Sequence, residues 1–66
     1  MELVNKKELQ GFTIGKKYKF TESKKMYLCH ETKDDSGEVW VMSKYKMLEY
    51  FTFEYMYKEN GGVVHE

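Results

Sequence analysis

A single cysteine in 66 residues restricts this chain most, because Cys29 has no second cysteine with which to form a disulfide within the molecule. A domain of about 60 residues buries only about 60% of the surface that its unfolded chain exposes, so many small domains depend on disulfides or metal ions. The core must therefore come from aromatic volume. The chain has six Tyr, four Phe and one Trp, and each such side chain buries roughly 150–250 Å². Because the sequence also lacks Ala and Pro, its composition favours β-strands.

The charge balance and hydropathy exclude several classes of protein. Eleven Lys and eleven acidic residues give a formal net charge of zero, and 41% of the residues are hydrophobic, which is typical of folded globular domains. No stretch approaches the roughly 20 consecutive apolar residues that span a bilayer, so we expect no membrane association. Lysines and glutamates interrupt the first ten residues, unlike a secretory signal. A lone cysteine favours a reducing compartment, and we expect a cytoplasmic protein.

Alternating polar and apolar residues predict the first strands. Lys17 and Lys19 alternate with Tyr18 and Phe20, which indicates a half-buried strand with its lysines in water. A second alternating stretch begins at residue 26, and a third runs from 38 to 42. Between them lies Asp34–Gly37, in which Asp side chains can bond to their own backbone and Gly supplies a positive φ. The pattern therefore predicts a β-hairpin over residues 26–42.

The segment from residue 43 to residue 60 fits two interpretations. As a helix it has Ser43 as N-cap and one face lined by Tyr45, Leu48, Phe51 and Tyr55. As a strand it alternates aromatic residues with polar ones over Tyr50–Tyr57, after a single helical turn at Ser43–Met47. The density of aromatic residues and the lack of Ala favour the strand. A helix over residues 44–58 would instead change the class to α+β.

These elements resemble the small SH3-like barrel proteins encoded by bacteriophage and prophage open reading frames. The similarity lies in Gly15–Phe20, the Asp34–Gly37 turn, Glu38–Val41 and the Ser43–Met47 turn before an aromatic strand, and it covers Phe12–Phe53. It implies a mainly β fold, an SH3-like barrel of about five antiparallel strands with a short helical turn. It also implies an accessory protein that binds and inhibits a host protein in the bacterial cytoplasm.

Two segments extend beyond this resemblance. Glu49–Lys58 is longer and more aromatic than a minimal barrel requires, and Met1–Gln10 has no counterpart. The weak apolar pattern of Met1–Gln10 fits a short helical turn or a loose arm. We therefore expect an N-terminal arm at 1–11, the β domain at 12–58 and a flexible C-terminal tail at 59–66. Either extension is a candidate homodimer interface or partner-binding edge.

The sequence offers little for catalysis. Cys29 and His30 are neighbours on a predicted strand, so their side chains point to opposite faces and do not meet. Cys29 is expected to be a buried small hydrophobic residue, and His30 a surface or edge residue. Asp34 and Asp35 are explained by the turn. No spacing of a zinc site and no glycine-rich phosphate loop is present, so we expect a protein without catalytic residues, metal or cofactor.

Nucleic-acid binding is the alternative function, because charge is unevenly distributed along the chain. Residues 1–25 hold seven Lys and three Glu, net +4, whereas residues 26–66 have net −4. The candidate phosphate-binding and stacking residues are Lys16, Lys17, Tyr18, Lys19, Lys24, Lys25 and Tyr27. The absence of Arg and the zero net charge weaken this interpretation, and a solvated Lys face also explains the pattern. The acidic half suggests a third hypothesis, mimicry of a phosphate backbone, for which a larger negative charge would be expected.

Aromatic density gives the leading functional hypothesis. Tyr, Trp, Phe and Met are enriched at the centres of protein interfaces, although a core this small can also use them. We predict a non-enzymatic protein-binding module that acts sterically on a host protein, with the split charge setting orientation and association rate. The predicted contact residues are Trp40, Tyr45, Tyr50, Tyr55 and Tyr57.

Overall fold

Residues 1–61 are described by a computed structural model of the chain. The elements are β1 (Glu2–Asn5), β2 (Lys17–Lys19), β3 (Thr21–Glu22), β4 (Cys29–Lys33), β5 (Val39–Ser43), α1 (Lys44–Tyr50), β6 (Phe51–Thr52) and α2 (Glu54–Glu59). The fold is mainly β, as predicted, with two short helices. Of the predicted tail at 59–66, residues 62–66 lie outside the described residues.

The strands form two antiparallel sheets of three strands each. The first has the order β2-β1-β6 and the second the order β3-β4-β5. Only Phe20 separates β2 from β3, so a single stretch of chain passes from one sheet into the other. Its side chain is 1% exposed and lies in the core that the two sheets share.

The predicted hairpin is present as β4 and β5, in a register that pairs Cys29 with Ser43 and Lys33 with Val39. Its first strand begins at Cys29 rather than at residue 26. The turn depends on Asp34, whose carboxylate accepts hydrogen bonds from the Ser36 amide and hydroxyl and from the Glu38 amide at 2.6–3.0 Å. Gly37 leaves the turn at φ +86°, a conformation that side chains with a Cβ rarely adopt.

Aromatic rings fill the core in edge-to-face pairs. Phe51 is completely buried and meets Phe12, Tyr18 and Phe20 with ring centroids 4.8–5.9 Å apart. Phe12 also packs edge-on against Trp40 at 5.3 Å. Such pairs contribute about 0.5–1.5 kcal/mol each beyond the area they bury. The remaining buried hydrophobic residues are Leu3, Val4, Met42 and Met47.

The N-terminal segment corrects the expectation of a helical turn or loose arm over Met1–Gln10. Glu2–Asn5 is the central strand of the first sheet, and Leu3, Val4 and Asn5 are all buried. Neighbouring strand residues face opposite sides, so this strand is covered on both faces, and α2 packs against it. Three buried residues are too few to give a recognisable period, which is why the sequence pattern looked weak.

The C-terminal segment also differs from the predicted strand over Tyr50–Tyr57. Only Phe51–Thr52 is strand, and it lies between two helices. Ser43 caps α1 as the helical alternative required, since its hydroxyl accepts from the Lys46 amide at 3.2 Å. Helix α1 is longer than the single turn predicted at Ser43–Met47. The aromatic run misled the prediction because its members belong to three different elements.

We expect Phe51→Ala to cost about 3–5 kcal/mol of unfolding free energy, because it removes the ring on which three others pack. A chain of this length has a total stability of roughly 3–10 kcal/mol, so the variant should be largely unfolded. Phe53→Ala, two residues away at an exposed position, is the matched control and should change stability little. Urea unfolding followed by tryptophan fluorescence measures both. Equal losses in the two variants would contradict the assigned core.

Candidate protein-binding surface

The structure divides the five predicted contact residues into two groups. Tyr45 on α1 and Tyr55 on α2 are 89% and 63% exposed. Trp40, Tyr50 and Tyr57 are half-buried and engaged within the molecule. The indole of Trp40 donates to Asp34 at 2.9 Å, Tyr50 packs on the core, and the Tyr57 hydroxyl lies beside Gly15. Of the five residues, only Tyr45 and Tyr55 expose most of their side chain to solvent.

The candidate phosphate-binding and stacking residues are also divided between engaged and exposed side chains. Lys16 and Lys17 form ion pairs with Asp35 and Glu54, at 2.8 and 3.5 Å. Tyr18 is buried, so its ring is not available for stacking on a base. Lys19 lines a groove of about 350 Å³ on the second sheet, between β3 and β5. The other lining residues are Thr21, Glu31, Thr32, Lys33 and Val39.

The remaining candidates, Lys24, Lys25 and Tyr27, lie together on the loop between β3 and β4. This loop presents three consecutive apolar side chains, Met26, Tyr27 and Leu28, which are 56%, 90% and 73% exposed. Lys24 and Lys25 precede them, are exposed, and form no ion pair with any residue in 1–61. A folded chain normally buries large apolar side chains, so three adjacent exposed ones make this loop the candidate surface.

Hydrogen bonds fix the conformation of this loop. The Ser23 hydroxyl accepts from the amides of Lys25 and Met26, both at 3.1 Å, and donates to Glu31 at 2.8 Å. The Ser23 amide donates to the Cys29 carbonyl at 2.8 Å, which closes the base of the loop. Leu28 has a φ of +62°, a left-handed conformation that is unusual for a bulky residue. Backbone strain of this kind concentrates at ligand-binding positions.

Helix α1 contributes two further exposed apolar side chains at the same end of the hairpin. Because Cys29 pairs with Ser43, the loop enters β4 where α1 leaves β5. Tyr45 and Leu48, spaced three residues apart on one side of α1, are both exposed. We define the loop–helix surface as Met26, Tyr27, Leu28, Tyr45 and Leu48, with Lys24, Lys25 and Lys44 as its cations. Lys44 also makes no ion pair within the described chain.

The sequence pattern missed three members of this surface. The predicted hairpin over residues 26–42 places Met26 and Leu28 in a strand, and Leu48 enters only in the helical alternative, on the same face as Tyr45. The useful signal was the run of three apolar residues directly after two lysines, which does not alternate and therefore does not fit a half-buried strand. Tyr27 and Tyr45 were identified from the sequence, but for two different functions.

A second apolar group lies on α2 and the residue before it. Phe53 and Tyr55 stack with ring centroids 6.0 Å apart, and Met56 accepts a weak hydrogen bond from the Thr52 hydroxyl at 3.8 Å. All three apolar side chains are exposed. Since α2 packs against β1, this group is anchored to the first sheet rather than to the hairpin.

Asp35 forms a polar network that joins the β1–β2 loop to the hairpin turn. Its carboxylate accepts from Lys16, Tyr18 and Thr13 at 2.7–2.8 Å, and its amide donates to the Gly11 carbonyl. The hydrogen bond from Lys16, followed by those from Thr13 and Tyr18, lowers the pKa of Asp35 to about 2. In return Asp35 raises the pKa of Lys16. This arrangement stabilises the fold by linking the β1–β2 loop to the hairpin turn.

Asp34 and Asp35 should make stability depend on pH in the acid range. The Ser36 hydroxyl and the Trp40 indole are the main causes that lower the pKa of Asp34, also to about 2. A carboxylate whose folded-state pKa lies below its ordinary value of 3.8 stabilises the fold above that value. The contribution is lost as the pH falls from 3.8 towards 2, so the melting temperature should decline across that window.

Thermal unfolding at several pH values tests this dependence. The double variant Asp34→Asn, Asp35→Asn should melt at a lower temperature than the wild type at pH 7, and its melting temperature should vary less below pH 4. Glu38→Gln is the matched control, because the Glu38 carboxylate makes no hydrogen bond within residues 1–61. A double variant with the full acid dependence of the wild type would show that other carboxylates cause it.

Three further findings bear on this surface. Within residues 1–61 no helix has both the length and the apolar character needed to cross a bilayer. The same residues contain no group of three or more His, Cys, Asp or Glu placed to hold a metal ion. No protein-family model, curated protein or solved structure matches this chain.

Proposed function

We propose that this chain is a non-enzymatic protein-binding module and that its loop–helix surface contacts the partner. The observation that carries the proposal is the run Met26–Leu28, three adjacent apolar side chains held in water by a hydrogen-bonded loop. An ordered loop loses little conformational entropy on binding, so more of its contact energy is available for affinity. Tyr27 and Tyr45 supply the large amphipathic rings typical of interface centres.

The charges around this surface define the partner's chemistry. Lys24, Lys25 and Lys44 are exposed and lie beside the apolar side chains. The complementary partner surface is an apolar patch flanked by Asp or Glu, which speeds association and fixes orientation. The mechanism is steric: the module covers a surface that its partner needs for another contact. Inhibition of a host protein by a phage or prophage accessory protein is the form of this function that the family resemblance supports.

The finer architecture that goes with this proposal is an SH3-like barrel. It is supported by the order of elements, in which one stretch of chain passes from β2 to β3 through Phe20 and a helix separates β5 from β6. Edge-to-face packing of rings from both sheets gives such a barrel its interior. The long β1–β2 loop and the β3–β4 loop then lie outside the sheets, where binding loops are usually found.

Leu28→Gly is the sharpest test of the surface. Glycine adopts a φ of +62° without strain, so the variant should fold with unchanged or slightly raised stability while losing an exposed apolar side chain. We expect Leu28→Gly to weaken partner binding about tenfold, and Tyr27→Ala to weaken it more. Tyr55→Ala, an exposed tyrosine on α2, is the matched control and should bind as the wild type does.

The measurement is capture of proteins from bacterial lysate with and without nuclease, followed by titration of the protein retained. A partner that survives nuclease and is lost from both loop variants but not from Tyr55→Ala would support the proposal. If Tyr55→Ala alone abolishes capture, the α2 group is the interface. If folded Leu28→Gly and Tyr27→Ala bind as well as the wild type, the loop–helix surface is not the contact site.

Nucleic-acid binding remains the second candidate, because Lys24, Lys25 and Tyr27 lie on one loop with the ring 90% exposed. Lysines beside an exposed ring are the arrangement by which single-stranded nucleic acid is bound through phosphates and stacking. Fluorescence anisotropy with a labelled single-stranded oligonucleotide distinguishes the two functions. Affinity that falls steeply with salt, and disappears in the Lys24→Glu, Lys25→Glu variant, would favour nucleic acid. A protein interface centred on apolar side chains should change little with salt.

A further inference from the structure

Strand β5 has an open edge that most proteins would protect. It pairs with β4 on one side, and no other strand of the described chain pairs with its opposite side. Natural edge strands are usually short, or carry charges, Pro or bulges that prevent further pairing. Strand β5 has five residues, Val39–Ser43, and contains no charged residue and no Pro. The other outer strands have two or three residues, and β2 carries a lysine at each end.

The register shows which backbone groups point to this open edge. Asp34 donates its amide proton to the Glu38 carbonyl at 3.0 Å. Residues 34 and 38 are therefore a hydrogen-bonded pair of the antiparallel hairpin. In an antiparallel pair, bonded and non-bonded positions alternate. Trp40 and Met42 therefore use their amide and carbonyl groups toward β4, opposite Thr32 and His30. The corresponding groups of Val39 and Val41 point away from β4 and have no backbone partner within residues 1–61.

We infer that β5 pairs with β5 of a second copy of this chain, antiparallel and about a two-fold axis at Val41, to form one continuous sheet of six strands. This inference is independent of the proposed function. In the register, residue numbers on opposite positions sum to 82, so Val41 faces Val41 and Val39 faces Ser43 of the second copy. The backbone groups at each of these paired positions point to the open edge. The amide and carbonyl groups of Val39 and Val41 that point outward therefore all gain a partner.

The side chains favour a second copy over an unrelated peptide, because the same register pairs opposite charges with each other and apolar side chains with each other. One position beyond each end of β5, the same register brings Glu38 close to Lys44, the first residue of α1, of the second copy. The two-fold axis repeats that pair at the other end. Glu38 and Lys44 are both exposed, and neither has an ion-pair partner within residues 1–61. Trp40, half-buried in one chain, lies across from the buried Met42 of the other. On the outer face the exposed side chains of Val39 and Val41 become cross-strand neighbours.

Helix α1 leaves this edge accessible. It follows β5 directly and packs against β5, β4 and β6, which places it over the sheets rather than beside the open strand. In the joined sheet the two hairpins run in opposite directions. The two loop–helix surfaces therefore lie at opposite ends of the dimer, and of their residues only Lys44 is placed against the other chain.

Sedimentation equilibrium of the purified protein from micromolar to millimolar concentration measures the association, with no other partner present. We expect the mass to rise from one chain of 8.0 kDa toward two chains. Val41→Pro should abolish the rise, because it removes an amide that points to the second copy while every β4–β5 hydrogen bond keeps its donor. Val41→Thr keeps that amide and the β-branched shape, and is the matched control that should still associate. Circular dichroism checks that both variants remain folded.

Charge reversal tests the register. Glu38→Lys and Lys44→Glu each place like charges across the axis at both ends, so each variant alone should associate roughly tenfold more weakly at low salt. An equal mixture of the two variants has opposite charges at both ends of a mixed dimer and should recover the wild-type affinity. A monomeric wild type at millimolar concentration, association that persists in folded Val41→Pro, or a mixture no tighter than its components would each overturn the inference. If Val41→Pro is unfolded, the mixing experiment decides alone.

Discussion

The edge-to-face packing of Phe51 against Phe12, Tyr18 and Phe20 is the contact on which the fold depends. Phe51 lies on a strand of only two residues, and that strand is held by β1. Its neighbours come from the β1–β2 loop, from β2 and from the residue that joins the two sheets. A disulfide would tie two positions of the chain, whereas this ring ties three segments at once, by dispersion and burial rather than by a covalent bond.

Polar contacts at the hairpin turn hold together segments that also contribute rings to the core. Asp34 organises the turn itself and holds the Trp40 indole, while Asp35 reaches across to the β1–β2 loop. The two segments pack so closely that a Cβ at Gly11 would lie 2.9 Å from the Asp34 carboxylate, and Gly11 has a φ of +92°. The loop that carries Phe12 into the core is therefore fixed at its start by a glycine and near its end by Lys16 bound to Asp35.

Local patterns were enough to predict the mainly β class, the β4–β5 hairpin and its Asp–Gly turn, and they gave the Ser43 cap within the helical alternative. Each depends on residues close in sequence. The central position of β1 was beyond such patterns. Asn5 is completely buried there, and its side-chain amide donates to the carbonyls of Lys7 and Tyr50. Asn is usually exposed, and a partner 45 residues away leaves no trace in local periodicity. The candidate surface was found only in part for the same reason, since Tyr27 and Tyr45 are brought to the same end of the hairpin only by the pairing of Cys29 with Ser43.

Size explains why so much apolar surface remains exposed. Of the large hydrophobic side chains in residues 1–61, seven are buried, five are half-buried and twelve are exposed, so this interior fully encloses fewer than a third of them. The exposed ones are not scattered evenly: Met26–Leu28, Val39, Val41 and Tyr45 all lie on or directly beside the β4–β5 hairpin. That hairpin is also the most regular element of the chain, with five paired positions. With one apolar end and one uncharged edge, this hairpin carries both proposed contacts, one for a partner protein and one for a second copy. Under both proposals a small aromatic core holds the fold, and the apolar residues left outside it serve binding.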